Sequence, residues 1–191
     1  MVFNNRDLQP VNGRQFNELN HQIGVTADES ITGLDFGNTP VNQINGTVNN
    51  DNISGTGGFD LMLGGRGEDT LVGLDGNDTM HGGQSDDLLS GGLGRDVLTG
   101  DKGDDIFVLA TGQGPDTITD FSRETGLVGG LLGSLLPLGN GNDLIGLSGG
   151  LTFSDLSFAG NSILVDSTKE ILATLTGVDT TTLTSSNFVS V

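Results

Sequence analysis

Large apolar residues recur at every ninth position through the middle of the chain, between Gly46 and Val108. In each unit of nine, the first position is glycine, the sixth is aspartate and the eighth is large and apolar. We expect a turn over the first six residues of a unit and a short strand over the last three. Seven consecutive units fit this frame with no insertion: GTVNNDNIS, GTGGFDLML, GGRGEDTLV, GLDGNDTMH, GGQSDDLLS, GGLGRDVLT and GDKGDDIFV.

This repeat predicts an all-β solenoid in which two units form one coil of eighteen residues. Each unit then stacks on its second neighbour, with position eight facing inward and positions seven and nine facing outward. Glycine at positions one and four should supply positive φ angles, which other residues adopt only with strain. Ser85, at position four of the fifth unit, is an unfavourable exception. The predicted core is two narrow columns: Ile53, Leu71, Leu89 and Phe107 in one, and Met62, Met80 and Leu98 in the other.

The same stacking places the aspartates of one side directly above one another. Coils repeat at roughly 4.8 Å, a distance at which bare carboxylates repel strongly. A hard cation between them turns this repulsion into attraction, and Ca²⁺ accepts six to eight oxygen ligands in irregular geometry. Five pairs of stacked units predict up to five ions. The candidate ligands are the aspartates at position six: Asp51, Asp60, Asp69, Asp78, Asp87, Asp96 and Asp105.

Composition supports the need for a cation. Acidic residues number 25 against 7 basic ones, giving a net charge of −18, while hydrophobic residues make up only 34% of the chain. Such a chain favours disorder unless its charge is neutralised. It has no basic patch for nucleic acid, no apolar run long enough to cross a bilayer, and no cysteine.

The flanks of the array divide the chain into three predicted parts: a partly flexible leader or cap over residues 1–45, a roll over 46–121, and a C-terminal β cap over 122–191. The segment Gly37–Asn45 reads as a decayed unit with Asn42 in place of aspartate. Thr111–Thr119 reads as an eighth unit after a two-residue slip, with Asp116 as a further candidate ligand. The Gly/Leu-rich insert at residues 126–141 is either a surface loop or a contact for a partner or membrane surface. Three strands, in LTFSDLSFAG, NSILVDS and EILATLTGV, should cap the last coil.

No motif in the chain supports catalysis. There is no HExxH helix and no GxSxG elbow, and the two histidines, His21 and His81, lie far apart in sequence. The absence of cysteine, tryptophan and tyrosine also removes a thiol nucleophile and the aromatic platforms that sugar-cleaving enzymes use. We therefore predict a protein that is not an enzyme.

The array, the segment GQGPDTITDF and the tail LTFSDLSF…ILATLTGVDTTTL resemble the hemolysin-type calcium-binding (RTX) proteins over about residues 46–191. This resemblance implies a right-handed parallel β-roll, secretion through a type I ABC exporter, and an extracellular or cell-surface location. The C-terminal residues Ser186–Val191 fit the uncleaved signal of such cargo loosely. In the family, the conserved aspartates and the carbonyls of the glycine-rich turns bind calcium. By this resemblance, the glycines whose carbonyls would bind calcium in this chain are Gly58, Gly64, Gly65, Gly67, Gly73, Gly76, Gly82, Gly83, Gly91 and Gly100.

Two functions agree with these features. The first is a secreted calcium-binding protein that folds on reaching extracellular calcium and serves as a surface, matrix or adhesion component. The second is a C-terminal secretion-and-folding module of a larger or partnered effector, whose active part is absent from this chain.

Overall fold

The computed structural model describes residues 41–123 and 141–191, which form strands, turns and three single-turn 3₁₀ helices. Residues 1–40 of the predicted leader lie outside this part of the chain, and so do residues 124–140, which hold most of the Gly/Leu insert and of the contact predicted for residues 126–141. None of its helices has the length and apolar character that a membrane crossing requires. In chain order the strands are β1 Asn42–Asn45, β2 Asn52–Ser54, β3 Asp60–Arg66, β4 Thr70–Val72, β5 Thr79–Gln84, β6 Leu88–Ser90, β7 Val97–Lys102, β8 Ile106–Leu109, β9 Asp116–Ile118, β10 Leu144–Leu147, β11 Leu156–Ala159, β12 Ser162–Val165, β13 Ile171–Leu175 and β14 Phe188–Ser190.

Successive repeat strands alternate between two sheets. The first sheet has the order β1-β3-β5-β7-β9-β13-β12-β11, and the second has the order β14-β10-β8-β6-β4-β2. Pairing along the array is parallel, and Met62 lies opposite Met80 as Leu71 lies opposite Leu89, a register of eighteen residues. The predicted all-β parallel roll, with two units to a coil, is therefore confirmed.

The core consists of the two predicted columns of position-eight side chains. Six of the seven residues are fully buried, and Ile53, at the N-terminal end of its column, is 8% exposed. Fully burying one such side chain contributes about 1.5–3 kcal/mol. Because each coil adds only two of them, the core is thin relative to the charge that surrounds it.

Units beyond the seven extend both columns. In the decayed unit, Asn42 lies opposite Asp60 and Ile44 opposite Met62. In the eighth unit, Ile118 lies opposite Leu98, an offset of twenty residues that confirms the two-residue slip. After the insert, β10 resumes the second sheet, with Ile145 opposite Phe107.

The C-terminal segment closes the ends of both sheets. Strands β11, β12 and β13 are the three strands predicted from sequence, and they pair as an antiparallel meander with turns at Gly160 and Lys169, which have positive φ angles. Strand β13 then pairs in parallel with β9, and β14 pairs in parallel with β10. The edges of β9 and β10 are therefore covered and are not open to pairing with another chain, and β11 and β14 become the edge strands at this end of the two sheets.

Backbone angles in the turns confirm part of the prediction for glycine and correct the rest. At position four, Gly67, Gly76, Gly94 and Gly103 have φ between 101° and 149°. The same prediction for position one is wrong, because no first-position glycine of the described array has such a φ. Glycine is required there by space: a Cβ on Gly64 would contact the next coil and the side chain of its own unit.

Position two has left-handed angles as well, and here the sequence does not always supply glycine. Leu74 has φ 77° and Asp101 has φ 69°, whereas Gly65, Gly83 and Gly92 occupy the equivalent positions of other units without strain. Ser85, predicted to be uncomfortable at position four, has φ 79°. Three turns of the roll therefore store backbone strain.

Replacing Ser85 with glycine should stabilise the folded roll by about 1 kcal/mol. The left-handed conformation costs a non-glycine residue about 1–2 kcal/mol, and the extra freedom of glycine in the unfolded chain returns about 0.5–1 kcal/mol of this. Chemical denaturation in saturating calcium measures the change. Ser90→Gly, in the extended strand β6, is the matched control and should be destabilising; equal effects of the two substitutions would contradict this account.

Candidate metal centre

The position-six aspartates form two ladders that run along the roll. In each ladder, the Oδ1 atom of one aspartate accepts a hydrogen bond from the backbone N–H of the aspartate one coil earlier, at 2.8–3.1 Å. The coil spacing fixes this contact, since every coil returns the same position to the same side. The first ladder consists of Asp51, Asp69, Asp87, Asp105 and Asp143, and the second consists of Asp60, Asp78, Asp96 and Asp116.

The second carboxylate oxygen, Oδ2, has no partner in the middle of the ladders. In Asp69, Asp78, Asp87 and Asp96 this atom is buried and accepts no hydrogen bond. Each of these side chains is at most 2% exposed. A buried charged oxygen without a partner is costly, and native proteins rarely retain one without a ligand. These four atoms are therefore the strongest sign of a binding site.

Each unpartnered oxygen lies against the first-position glycine of its own unit. A Cβ added to Gly64 would meet both the Asp69 Oδ2 atom and the Gly82 carbonyl oxygen of the next coil. Gly73 has the same relation to Asp78 and to the Gly91 carbonyl oxygen. The missing side chain thus leaves a cradle in which carboxylate and carbonyl oxygens converge. Carboxylate oxygens of Asp87, Asp96 and Asp105 lie in the same way against Gly82, Gly91 and Gly100.

The other glycines predicted as ligands lie in the stacked turns. The carbonyl oxygens of Gly58 and Gly65 face the equivalent glycines one coil later, Gly76 and Gly83, so closely that a Cβ there would collide with them. Gly67 packs in the same way on the backbone of Asn49. The turns therefore stack their carbonyl oxygens on the backbone of the next coil. That these glycines are calcium ligands stays a prediction.

The chemistry of these donors fits Ca²⁺. Within residues 41–123 and 141–191, no three histidine or acidic side chains converge as a metal cluster. A site here must therefore combine ladder carboxylates with backbone carbonyls, which are the oxygen donors that Ca²⁺ accepts in numbers of six to eight. Zinc would require histidine or cysteine, and His81 lies away from the ladders, with its Nδ1 atom 3.2 Å from Asp101 Oδ2.

Comparison with protein families decides the nature of the array. Residues 45–80, 72–107 and 81–118 match the family model described as the RTX calcium-binding nonapeptide repeat. Residues 45–118 are RTX calcium-binding repeats. Among solved structures, the chain is similar to the AlgE6R3 subunit of the mannuronan C5-epimerase of Azotobacter vinelandii, with 24% identity, 85% of this chain and 86% of that chain covered, and a TM-score of 0.31. The search of curated proteins found no match.

The electrostatics of the RTX ladders disfavour bare carboxylates. Burial raises the pKa of Asp78 to about 6, and the charges of Asp96 and Asp60 add to the effect. Burial likewise raises the pKa values of Asp87 and Asp105 to about 7, again with neighbouring aspartates contributing. The ladder hydrogen bonds lower these pKa values only in part. At neutral pH the roll therefore holds several carboxylates that are destabilised by their own charge.

One ladder residue was missed by the sequence reasoning. Asp143 continues the first ladder beyond the insert, because its Oδ1 atom accepts the N–H of Asp105 at 3.1 Å and its side chain is 2% exposed. The sequence signal was present, since Asp143 stands two residues before the buried Ile145, as position six does in every unit, and two after Gly141, as it does after glycine in five of the seven units. The insert hid it by displacing the unit from the nine-residue frame.

Proposed function

We propose that this chain is a secreted calcium-binding protein whose RTX roll folds when it meets extracellular calcium, and that the folded roll serves as a surface, matrix or adhesion component. The observation that carries this proposal is the set of four buried, unpartnered carboxylate oxygens. A negative charge on those buried atoms is unfavourable without a partner, and the two whose surroundings include a carbonyl oxygen of the next coil, on Asp69 and Asp78, would give a cation a second oxygen donor. Asp69, Asp78, Asp87 and Asp96 would hold the ions, together with carbonyls of the adjacent turns.

Calcium supplies positive charge and oxygen coordination between coils. The chain supplies a thin apolar core and the stacked turns, and its net charge of −18 opposes folding until it is neutralised. Since the sites exist only when the coils are stacked, the free energy of binding is free energy of folding. At low calcium the chain therefore stays extended.

An extended chain suits export through a type I ABC exporter, the route that the family resemblance implies. In the folded protein, Phe188 lies opposite Ile145 in the pairing of β14 with β10, so the C-terminal residues are held in the sheet. Before folding they are free to engage an exporter. Folding outside the cell then removes both the signal and the chain from the export path.

The test is a calcium titration of the purified chain, followed by far-ultraviolet circular dichroism. In chelator we expect little β-structure, and on addition of calcium a cooperative gain with a midpoint of about 10⁻⁴–10⁻³ M, the range of extracellular calcium modules. A fold that is indifferent to chelation would remove the basis of the proposal. A midpoint below about 10⁻⁶ M would place folding in the range of intracellular sensors and would contradict secretion-coupled folding.

A further inference from the structure

The aspartates at the start of both ladders differ from those in the middle. Asp51 Oδ2 accepts hydrogen bonds from the backbone N–H of Thr47 at 2.6 Å and from its Oγ1 hydroxyl at 2.9 Å. Asp60 Oδ2 accepts the same two bonds from Thr56, at 2.6 Å and 3.1 Å. The oxygen that is unpartnered in the middle units is therefore fully engaged in the first two units.

The first ladder ends in a similar way beyond the insert. Asp143 Oδ2 accepts the backbone N–H of Ser122 at 2.7 Å. The Ser122 hydroxyl lies 3.2 Å from the same oxygen but donates at shorter range, 2.7 Å, to the Gly141 carbonyl oxygen. Three of the four ladder ends thus carry a hydroxyl residue whose amide binds the terminal carboxylate. None of the four middle aspartates with an unpartnered Oδ2 atom has such a donor.

The residue at position two explains the difference at the N-terminal end. In the third to seventh units, this position has a left-handed φ angle, as in Gly65 and Leu74. Thr47 and Thr56 do not have that angle, and their N–H groups point instead to the aspartate four residues later. The turn then closes on its own carboxylate.

From these contacts we infer that Thr47, Thr56 and Ser122 are donor plugs, which occupy the terminal carboxylates in place of calcium and confine the ions to the middle of the roll. This inference rests on the proposed calcium binding and states which part of the roll binds the ions. Each carboxylate oxygen has about two lone-pair sites, and a threonine amide and hydroxyl fill both on Asp51 and on Asp60. A cation would have to displace two hydrogen bonds there, whereas it displaces none at Asp69 or Asp78.

The consequence is a roll in which three of the four ladder ends, at Asp51, Asp60 and Asp143, are independent of metal. Hydrogen bonds within the chain stabilise the turns at these ends, and only the middle turns require bound calcium for their stability. Fewer ions are therefore bound than the seven array aspartates allow.

Counting bound calcium tests the inference directly. The protein and its variants are dialysed against saturating calcium, and ions per chain are measured by elemental analysis and by isothermal titration calorimetry. The double variant Asp51→Asn/Asp60→Asn should keep the wild-type number of ions, whereas Asp69→Asn/Asp78→Asn should bind two fewer. The asparagine oxygen can keep the ladder N–H bond at Asp69 and Asp78, and it can keep the threonine amide bond at Asp51 and Asp60. Both double variants remove the same charge.

A second pair of variants tests the plugs themselves. Thr47→Gly/Thr56→Gly places glycine at position two of the first two units, as in the third unit, and should bind up to two more ions. Thr47→Ser/Thr56→Ser keeps the amide and hydroxyl donors and should bind the wild-type number of ions. Loss of ions in Asp51→Asn/Asp60→Asn, or an unchanged number in the glycine variant, would overturn the inference. A wild-type chain that binds no calcium would instead overturn the proposed function, so the two failures are distinguishable.

Discussion

Replacing Asp87 with asparagine should weaken calcium binding by about 100-fold and shift the calcium-induced folding transition to correspondingly higher concentration. The Asp87 Oδ1 atom accepts the N–H of Asp69 at 2.8 Å, and an asparagine oxygen can keep this bond. The unpartnered Oδ2 atom becomes an amide N–H₂ group, which repels a cation. Loss of an outer-shell partner of a metal ligand alone costs about 10–100-fold in affinity, so loss of a ligand should reach at least the upper limit.

The neighbouring residue provides a matched control. Asp86 is exposed, and its Oδ1 atom accepts the N–H of Asp104 at 2.8 Å, which asparagine can also preserve. Asp86→Asn therefore removes the same charge from nearly the same place without removing an inward-facing oxygen, and should leave the calcium midpoint within about threefold, the effect of a surface charge. Circular dichroism and calorimetry on both variants measure the difference. Equal shifts would mean that calcium responds to net charge and not to the ladder.

The unbroken nine-residue period made the roll predictable from sequence. When Gly, Asp and an apolar residue recur without insertion, the register of eighteen residues follows, and with it the burial of Leu71 against Leu89 and the stacking of Asp69 on Asp87. The strands of the cap were also predictable, because ordinary turn residues such as Gly160 separate them.

Features that depend on the direction of individual bonds could not be predicted in the same way. The pattern shows that Thr47 replaces a glycine, but not that its amide turns toward Asp51. It shows an invariant glycine at position one, but not that the cause is the nearby Asp69 carboxylate and not the φ angle. Asp143 was missed because an insert breaks the period that identifies the other ladder residues.

Acidification should partly replace calcium in the chelated protein. Burial raises the pKa values of Asp78, Asp87 and Asp105 to between about 6 and about 7 in the folded roll, against 3.8 for an unperturbed aspartate. Between these limits the folded state binds more protons than the unfolded state, so stability rises as the pH falls. The gain begins as the pH drops through the folded pKa values and is complete only below 3.8. Deprotonation at higher pH removes it.

Far-ultraviolet circular dichroism and urea denaturation in chelator, at pH 8 and at pH 5, measure this gain. We expect little β-structure and no urea transition at pH 8, and more β-structure with a measurable urea transition at pH 5. In saturating calcium the order should reverse, because protons and calcium compete for the same carboxylates and metal binding releases protons. If acid instead destabilises the protein in chelator, the folded roll does not disfavour the charged form of the ladder carboxylates. The electrostatic reason for a cation in the roll would then be lost.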